Sequence, residues 1–377
     1  MRVVVSAPTR FHLFDLAREL LQKGLLQHLF TAYPQRRVDD RLRPFATGLP
    51  VHGVLGYLAR RLGHGVAHRE LEWQFITRYD RAVARRLPKT DIVVGLSGRT
   101  LHTLRRAKQL GALAVCDRGS SHISHQEAVL AEEHAIWEVP YTSVDSRGLA
   151  KELMEYDEAD LITVPSRFAR ATFEAHGVPA SKIAVVPYGV DLDAFHPGKD
   201  DDDLFRVLFV GSVSLRKGVP YLLEAVRPLG SLRDFHVLLA GRSDREALRW
   251  LSRFNGNYRL LGQLNRSALA NIYANSSVFV LPSVEEGLAL VIAQAMASSL
   301  PVIATPESGA EDLLTDGVEG FIVPSRSPEA IRERLVQLYN DASLRSRMGQ
   351  AAHQRVRQRG GWAEYGRKAI DAYVSLR

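Results

Sequence analysis

Short apolar runs alternate with longer amphipathic segments along most of this chain. In the first half, four runs predict strands: RVVVSA, DIVVGLS, ALAVCD and ADLITVPS, which begin at Arg2, Asp91, Ala112 and Ala159. A helical pattern follows each run; after RVVVSA, for example, Leu13, Leu16 and Leu20 recur at helical spacing and Gly24 ends the segment. This alternation predicts a parallel sheet with helices on both faces.

A segment rich in Pro, Gly and Asp, residues 183–203, interrupts the alternation and is interpreted as a linker. Its acid run at residues 200–203 follows no strand into a cleft, so we interpret it as solvated rather than metal-binding. The pattern then restarts with six strand-like runs: FRVLFVGS, DFHVLLAG, YRLLG, SVFVLPS, PVIAT and EGFIVP. The chain therefore predicts two open α/β sheets, one in residues 1–198 and one in residues 199–361.

Two such sheets predict a deep cleft between domains, because open α/β sheets bind ligands beyond the carboxyl ends of their strands. The length of 377 residues suits two domains. No apolar run has the roughly 20 residues that a membrane helix needs, and the first strand is shorter than the core of a secretion signal. The single cysteine, Cys116, excludes an internal disulfide and a cysteine-rich metal site, which predicts a cytoplasmic protein.

The net charge of +7 is unevenly placed. Residues 36–86 hold eleven Arg against five acids, which leaves +6 in this segment alone. A solvated basic surface and a dock for anionic membrane lipid or an anionic acceptor both explain the segment. Nucleic acid is not expected as a partner, because no motif of aromatic and basic residues accompanies the charge.

Two segments of the second half carry candidate chemistry. In FVGSVSLRKGVPYLLEA, Arg216 and Lys217 follow a predicted strand, where cations suit a diphosphate, although a surface Arg-Lys pair is also common. In VFVLPSVEEGLALVIAQ, a turn at Glu286 and Gly287 precedes a helix predicted from Leu288. The unpaired N–H groups of a first turn attract anions, and a glycine lets a ligand approach the backbone.

The polar side chains of the second segment have two interpretations. A carboxylate beside a bound phosphate is expected to accept hydrogen bonds from ligand hydroxyls, which gives Glu286 a role. Gln294, eight residues on, is expected to bind hydroxyls without adding charge. Alternatively, Glu285 and Glu286 only favour the helix N-terminus, and Gln294 satisfies a loop carbonyl.

The segment PSVEEGLALVIAQAMASSLPVIAT resembles the nucleotide-sugar segment of glycosyltransferase family 4. The resemblance extends over most of the second half and over ADLITVPSRFARATFEAHGVPASKIAVVPYGVDLDAF in the first. It implies a GT-B fold of two facing Rossmann-like domains, with a last helix, residues 362–377, that returns to the first domain. It also implies retaining, metal-independent transfer from a nucleoside-diphosphate sugar to a hydroxyl acceptor, with no cofactor besides that co-substrate.

By position, the resemblance assigns donor contacts. Glu286 matches the carboxylate that binds the transferred sugar, Lys217 matches the diphosphate lysine, and Gln294 replaces a glutamate that binds ribose. Ser212 stands where an arginine is usual, and Arg216 is expected to compensate. The donor set is completed by backbone groups and by a base contact: Gly287, Leu288, Ala289, Leu290, Gly262 and Gln263.

The first domain is expected to supply a histidine near the donor sugar. His122 and His125 both lie after a mid-domain strand, and His122 is chosen because it falls beside a helix start; a helix-capping or solvated histidine is the alternative. His122 and Glu286 are thus the predicted catalytic residues. Four further residues are placed on the acceptor side: Arg10, His12, Asp117 and Arg118.

Two other functions stay open. A nucleotide-sugar 2-epimerase would need an acid-base group at the sugar and no acceptor site, and a non-catalytic nucleotide-sugar-binding protein would explain Gln294 as loss of activity. For the transferase, a glycolipid or polysaccharide precursor is the favoured acceptor, because the basic segment at residues 36–86 suits the inner face of a cytoplasmic membrane.

Overall fold

The computed structural model describes residues 1–62, 65–198, 204–243, 245–254 and 258–376, so the acid run at 200–203 lies outside the described residues. Seven parallel strands form the first sheet, in the order β3-β2-β1-β4-β5-β6-β7. They are β1 (Val3–Ser6), β2 (Leu26–Thr31), β3 (Ala46–Gly48), β4 (Ile92–Leu96), β5 (Leu113–Asp117), β6 (Leu161–Val164) and β7 (Ile183–Val185).

The sequence predicts β1, β4, β5 and β6 of this sheet and misses the other three strands. The interpretation of residues 183–203 as linker throughout is wrong at its start, because β7 pairs with β6 there. Both edge strands, β3 and β7, have three residues each, too few to show a period. In β2, the half-buried Gln27 and His28 interrupt the apolar run.

Six parallel strands form the second sheet, in the order β10-β9-β8-β11-β12-β13, and all six were predicted. They are β8 (Phe205–Val210), β9 (Phe235–Ala240), β10 (Tyr258–Gly262), β11 (Val278–Leu281), β12 (Val302–Ala304) and β13 (Gly320–Ile322). Every residue of β11 and β12 is buried, as expected where helices cover both faces of a parallel sheet. The predicted α/β class with two Rossmann-like domains is confirmed.

Helices connect the strands and close the chain. They are α1 (His12–Gln22), α2 (Pro50–Leu62), α3 (Val66–Arg86), α4 (Leu101–Gln109), α5 (Ile123–Ile136), α6 (Ser146–Glu158), α7 (Arg167–Ala175), α8 (Val219–Val226), α9 (Arg245–Leu251), α10 (Arg266–Ala274), α11 (Leu290–Ala297), α12 (Pro328–Asn340), α13 (Ala342–Gln358) and α14 (Gly361–Val374). The last helix, α14, packs on α1 in the first domain. The approach is close, because a Cβ on Gly366 would lie 2.4 Å from the Cβ of Glu19.

The strand orders determine where ligands can bind. The direction of strand succession reverses between β1 and β4 in the first sheet and between β8 and β11 in the second. Loops at the carboxyl ends of adjacent strands flank a crevice at such a reversal, which is where open α/β sheets bind ligands. The loops after β5 and β6 contact the loop after β11, so the carboxyl ends of the two sheets face each other.

Candidate active site

Charged side chains from two loops meet at the reversal point of the second sheet. The loop after β8 carries Arg216 and Lys217, and the loop after β11 carries Glu285 and Glu286. Lys217 forms an ion pair with Glu286, and Arg216 Nη2 lies 3.2 Å from Glu286 Oε1. Glycine is required next to them: Gly218 has φ +66°, and a Cβ there would lie 1.8 Å from the carbonyl oxygen of Pro282.

The Lys217 ammonium is largely removed from water, with 15% of the side chain exposed. Burial and the neighbouring Arg216 lower the pKa of Lys217 to about 7, while the charge of Glu285 opposes that shift. A buried ammonium keeps its charge only beside an anion. Glu286 is that anion here, and a diphosphate in this crevice would provide the same compensation.

Glu285, for which the sequence suggested only a role at a helix N-terminus, connects the two domains. The carboxylate is fully buried and accepts hydrogen bonds from Ser120 Oγ (2.7 Å), Ser121 Oγ (2.6 Å) and Gln126 Nε2 (3.0 Å) of the first domain. Arg216 Nε of the second domain donates a fourth bond at 2.6 Å. Burial raises the pKa of Glu285, but Arg216 and the two serines outweigh it and lower the pKa to about 2. In the sequence, only the two adjacent acidic residues before Gly287 pointed to a role for Glu285.

Gly287 lies directly against the first domain. Its carbonyl oxygen accepts a hydrogen bond of 2.6 Å from Ser166 Oγ. A Cβ at this position would lie 2.3 Å from the carbonyl oxygen of Gly119 and 2.8 Å from the Cα of Ser120. The absence of a side chain at Gly287 is therefore what allows the two domains to close at this point.

Gly287→Ala should impair closure. The added methyl group meets backbone atoms of Gly119, which cannot rotate away, so the domains must separate or shift. We expect a loss of about 10²-fold in kcat/KM, the scale of a misplacement of about 1 Å at a reacting centre. The melting temperature should fall as well, because separation breaks the hydrogen bonds that the first domain donates to the adjacent Glu285. Unchanged kcat/KM would show that closure at Gly287 is not needed.

The helix predicted from Leu288 begins two residues later, so the predicted start is wrong. Ala289 is extended and its N–H donates to Ser308 O at 3.0 Å, which keeps Leu288 and Ala289 outside the helix. Gln294 therefore does not share a continuous helix with Glu286. It lines a cavity of about 580 Å³ between the domains, and Tyr273 OH donates to its Oε1 at 3.3 Å.

Among the described residues, no hydrogen bond or ion pair links Ser212, Gly262 or Gln263 to the charged cluster. Ser212 and Gln263 are exposed, and the Gly262 carbonyl accepts a hydrogen bond of 2.9 Å from Gly241 N. Arg216 was expected to compensate for the arginine that is missing at position 212. Its guanidinium is already paired with Glu285 and Glu286. The structure thus brings together Arg216, Lys217, Glu286 and Gly287 from the predicted donor set.

His122 caps a helix, as the alternative interpretation expected. Its Nδ1 accepts a hydrogen bond of 3.2 Å from Ser124 N at the start of α5, and its ring stacks on His176 with 4.3 Å between centroids. The side chain is 4% exposed. Burial and the nearby His176 lower the pKa of His122 to about 4, so it is neutral at pH 7 and positioned for packing.

The four predicted acceptor-side residues separate in the structure. His12 Nε2 and Asp117 Oδ1 are in buried hydrogen-bond contact, and Asp117 also accepts from Thr163 Oγ1 at 2.7 Å. Arg10 is exposed and donates to the backbone oxygen of Arg37 at 2.6 Å. Among the four, Arg118 alone lines a large cavity of about 840 Å³, which is bounded mostly by the first domain and on one side by α9 of the second.

Comparisons with known proteins assign this arrangement to a family. The model for Glycosyltransferase Family 4 matches residues 10–194, and the model for Glycosyl transferases group 1 matches residues 205–341. The chain belongs to glycosyltransferase family 4. The boundary between the two matches falls in the segment that joins the two sheets.

Curated relatives carry glycosyltransferase names. The chain is 29% identical to the D-inositol 3-phosphate glycosyltransferase of Xylanimonas cellulosilytica, over 73% of this chain and 65% of that protein. It is 30% identical to the phosphatidyl-myo-inositol mannosyltransferase of Mycobacterium leprae, over 57% of this chain and 59% of that protein. The chain thus spans somewhat less than two thirds of the length of these family 4 relatives.

Solved structures share the fold over the whole chain. Sucrose-phosphate synthase from Thermosynechococcus elongatus has a TM-score of 0.75 at 20% identity, and the match covers 100% of this chain and 99% of that one. Anabaena HepE, solved in complex with UDP and glucose, has a TM-score of 0.71 at 15% identity with 100% of both chains covered. These similarities confirm the GT-B architecture predicted for this family 4 chain.

Proposed function

We propose that the chain transfers a sugar from a nucleoside-diphosphate donor to a hydroxyl acceptor. One observation carries the proposal: Lys217 and Glu286 are paired at the strand reversal of the second sheet, next to Gly287, where the loop after β11 meets the first domain. A nucleotide sugar bound there would have its diphosphate beside Lys217 and its sugar beside Glu286, close to the opposite domain.

Lys217 would act by stabilising charge on the leaving group. The bond from sugar C1 to the diphosphate oxygen breaks with its electron pair on the diphosphate, the acceptor oxygen bonds to C1, and the acceptor proton passes to the leaving diphosphate. Lys217 and the positive end of the α11 helix dipole stabilise the growing negative charge. Family membership supports retention at C1 and a reaction that needs no metal.

The donor is best sought among UDP-sugars first, because HepE was solved with UDP and glucose. The test is to incubate the protein with UDP-, GDP-, ADP- and dTDP-sugars and a mixture of hydroxyl acceptors, with and without EDTA. We expect one nucleotide to be released, with a product of unchanged anomeric configuration and equal rates in EDTA. No product with any donor, from a protein that is folded, would contradict the proposed function.

The 2-epimerase alternative is disfavoured by the large cavity of the first domain. An epimerase has no second substrate to hold, whereas a cavity of about 840 Å³ at the carboxyl ends of β4 and β5 suits an acceptor. Incubation with donor alone separates the two functions, because epimerised donor would support the epimerase. The same reaction would leave a transferase donor intact or slowly hydrolysed.

We also propose that the acceptor is presented at an anionic membrane surface on the cytoplasmic side. Among the described residues, no helix combines the length and apolarity that crossing a bilayer requires. Helix α2, within the basic segment 36–86, leaves Val51, Val54, Tyr57 and Leu58 exposed. Arg61 lies over the Tyr57 ring at 5.1 Å, so one helix surface offers both apolar area and positive charge.

Sedimentation with lipid vesicles tests this membrane proposal. We expect binding to vesicles of phosphatidylglycerol at low salt, weaker binding at high salt, and little binding to phosphatidylcholine. Val54→Ser combined with Leu58→Ser should reduce binding while leaving nucleotide binding unchanged. Protein that stays wholly in the supernatant with anionic vesicles at low salt would contradict it.

A further inference from the structure

The large cavity of the first domain has the size and position of a ligand site. It begins at Gly98 and Arg118, just beyond the carboxyl ends of β4 and β5, and extends between α3 and residues 139–145 to α9 of the second domain. Its volume of about 840 Å³ lies within the range of about 300–1,000 Å³ that is typical of small-molecule sites. Gln126 lines the cavity and also binds Glu285, so the cavity adjoins the junction beside Glu286.

One carboxylate oxygen in this cavity has no hydrogen-bond partner within the part of the chain that the structure describes. Glu152 is 7% exposed, and its Oε1 accepts three hydrogen bonds, from Ser97 Oγ (2.7 Å), Arg118 Nη1 (2.6 Å) and Tyr156 OH (2.6 Å). Its Oε2 accepts no hydrogen bond from the described residues. Gly98 keeps this oxygen uncovered, because a Cβ at Gly98 would lie 3.1 Å from Oε2.

The charge of Glu152 determines what can bind there. Burial raises its pKa, but Arg118 and the hydrogen bonds from Tyr156 and Ser97 outweigh burial and leave the pKa below its usual value. The carboxylate is therefore ionised, and an ionised carboxylate can only accept hydrogen bonds. A ligand group next to Oε2 must be a donor, and a phosphate there would be repelled.

The cations of the cavity do not offset this preference. Arg118 is bound by Glu152 and by Gln126 Oε1 at 2.8 Å, and Arg99 lies 3.0 Å from Glu72. Each of these cations is already paired with a carboxylate, so it provides little net attraction for a phosphate, although the buried Arg99 Nε has no hydrogen-bond partner among the described residues. Arg69 and Arg249 are exposed at the rim, so they can contact only the outer part of a ligand.

An aromatic wall completes the site. Trp73 lines the cavity, and the guanidinium of Arg147 lies 5.0 Å from its ring centroid. Arg147 is itself bound to Asp145 at 2.8 Å and to Glu70 at 2.9 Å, which fixes the indole. An aromatic surface and a carboxylate in the same cavity suit a ring that has an apolar face and a hydroxylated edge.

We propose that this cavity holds the acceptor, and that the part of the acceptor inside it is a sugar or cyclitol ring with hydrogen-bond donors and no phosphate. Glu152 Oε2 accepts a hydrogen bond from a hydroxyl of that ring other than the reacting one, or from an amino substituent, and Trp73 packs on the ring. The assignment rests on the proposed function, since it is the transferase reaction that requires an acceptor.

Binding of ring probes in the presence of UDP tests this assignment without requiring turnover. The probes are myo-inositol, methyl α-mannoside, glucosamine, myo-inositol 1-phosphate and mannose 6-phosphate, observed by saturation-transfer NMR. We expect the unphosphorylated rings to bind about tenfold more tightly than their phosphates. Tighter binding of glucosamine than of the neutral rings would identify an ammonium as the donor at Glu152.

Substitutions of cavity residues test whether the ring probes bind in this cavity. Glu152→Gln should weaken binding of the unphosphorylated probes about tenfold and reduce the discrimination against phosphate. Trp73→Ala should weaken all ring probes and serves as a second test if Glu152→Gln does not fold. Glu158→Gln, on the same helix but paired with Arg105 outside the cavity, is the matched control.

The outcomes separate this inference from the proposed function. If UDP binds but no ring probe does, if the phosphorylated probes bind as tightly as the others, or if Glu152→Gln and Trp73→Ala bind the probes like the native protein, the inference is overturned while the transferase proposal stands. If no nucleoside diphosphate binds to the native protein, the proposed function fails first.

Discussion

Lys217→Ala should lower the turnover number of sugar transfer by about 10²–10³-fold. The loss is that of one preorganised electrostatic group at a developing negative charge. Lys217 is the buried cation at the reversal between β8 and β11, and Arg216 beside it is already bound by two carboxylates. Steady-state kinetics with a saturating donor measure the effect, and calorimetry with the nucleoside diphosphate should show weaker binding.

Lys89→Ala is the control, because Lys89 is exposed and lies away from the cleft. It should leave both kcat and nucleotide affinity unchanged. Melting curves of the two variants show whether the loss comes from chemistry rather than unfolding, since Glu286 keeps Arg216 as a partner when Lys217 is removed. A Lys217→Ala enzyme with kcat within a factor of three of the native value would remove Lys217 from the diphosphate site.

Glu285→Ala should both destabilise the protein and open the cleft. The change leaves Arg216 without its closest carboxylate and removes the acceptor for Ser120, Ser121 and Gln126. Breaking a buried ion pair from one side costs about 3–5 kcal/mol of the free energy of unfolding. Urea unfolding measures this cost, and small-angle scattering should show a larger radius of gyration as the domains separate.

Acid titration provides an independent check of Glu285. Because its pKa is lowered from 4.5 to about 2 in the folded protein, its stabilisation is present above about pH 4.5 and is lost as the pH falls toward 2. Glu285→Gln should be less stable than the native protein at pH 7, and the difference should shrink over that acid range. A difference that stays constant from pH 6 to pH 3 would show that Glu285 carries no such stabilisation.

The sequence predicted the second sheet better than the first because the two sheets differ in how their strands are buried. Strands buried on both faces appear as continuous apolar runs, which is the case for β11 and β12, and the apolar runs of β8 and β9 are each interrupted by one polar residue. Strand β2 has two half-buried polar residues, and β3 and β7 have three residues each, so their positions depend on pairing with neighbouring strands.

The residues of the candidate site also differ in whether the sequence could predict their positions. The positions of Lys217, Glu286 and Gly287 at the cleft could be predicted, because each residue lies in a short segment in which a strand is followed by a loop and a helix. Glu285 could not, because three of its four partners lie about 160 residues away in the first domain. The predicted catalytic His122 was chosen because it follows a mid-domain strand and falls beside a helix start, a position that does not distinguish a helix cap from a side chain that faces the cleft.

Calorimetry of UDP, GDP, ADP and dTDP with the native protein and with Lys217→Ala tests the central claim most directly. That claim is that Lys217, next to Glu286 and Gly287, binds the diphosphate of a nucleotide sugar. We expect one nucleotide to bind the native protein with micromolar affinity and at least tenfold more weakly to Lys217→Ala. Equal affinity for the two proteins, or no heat with any of the four nucleotides, would contradict it.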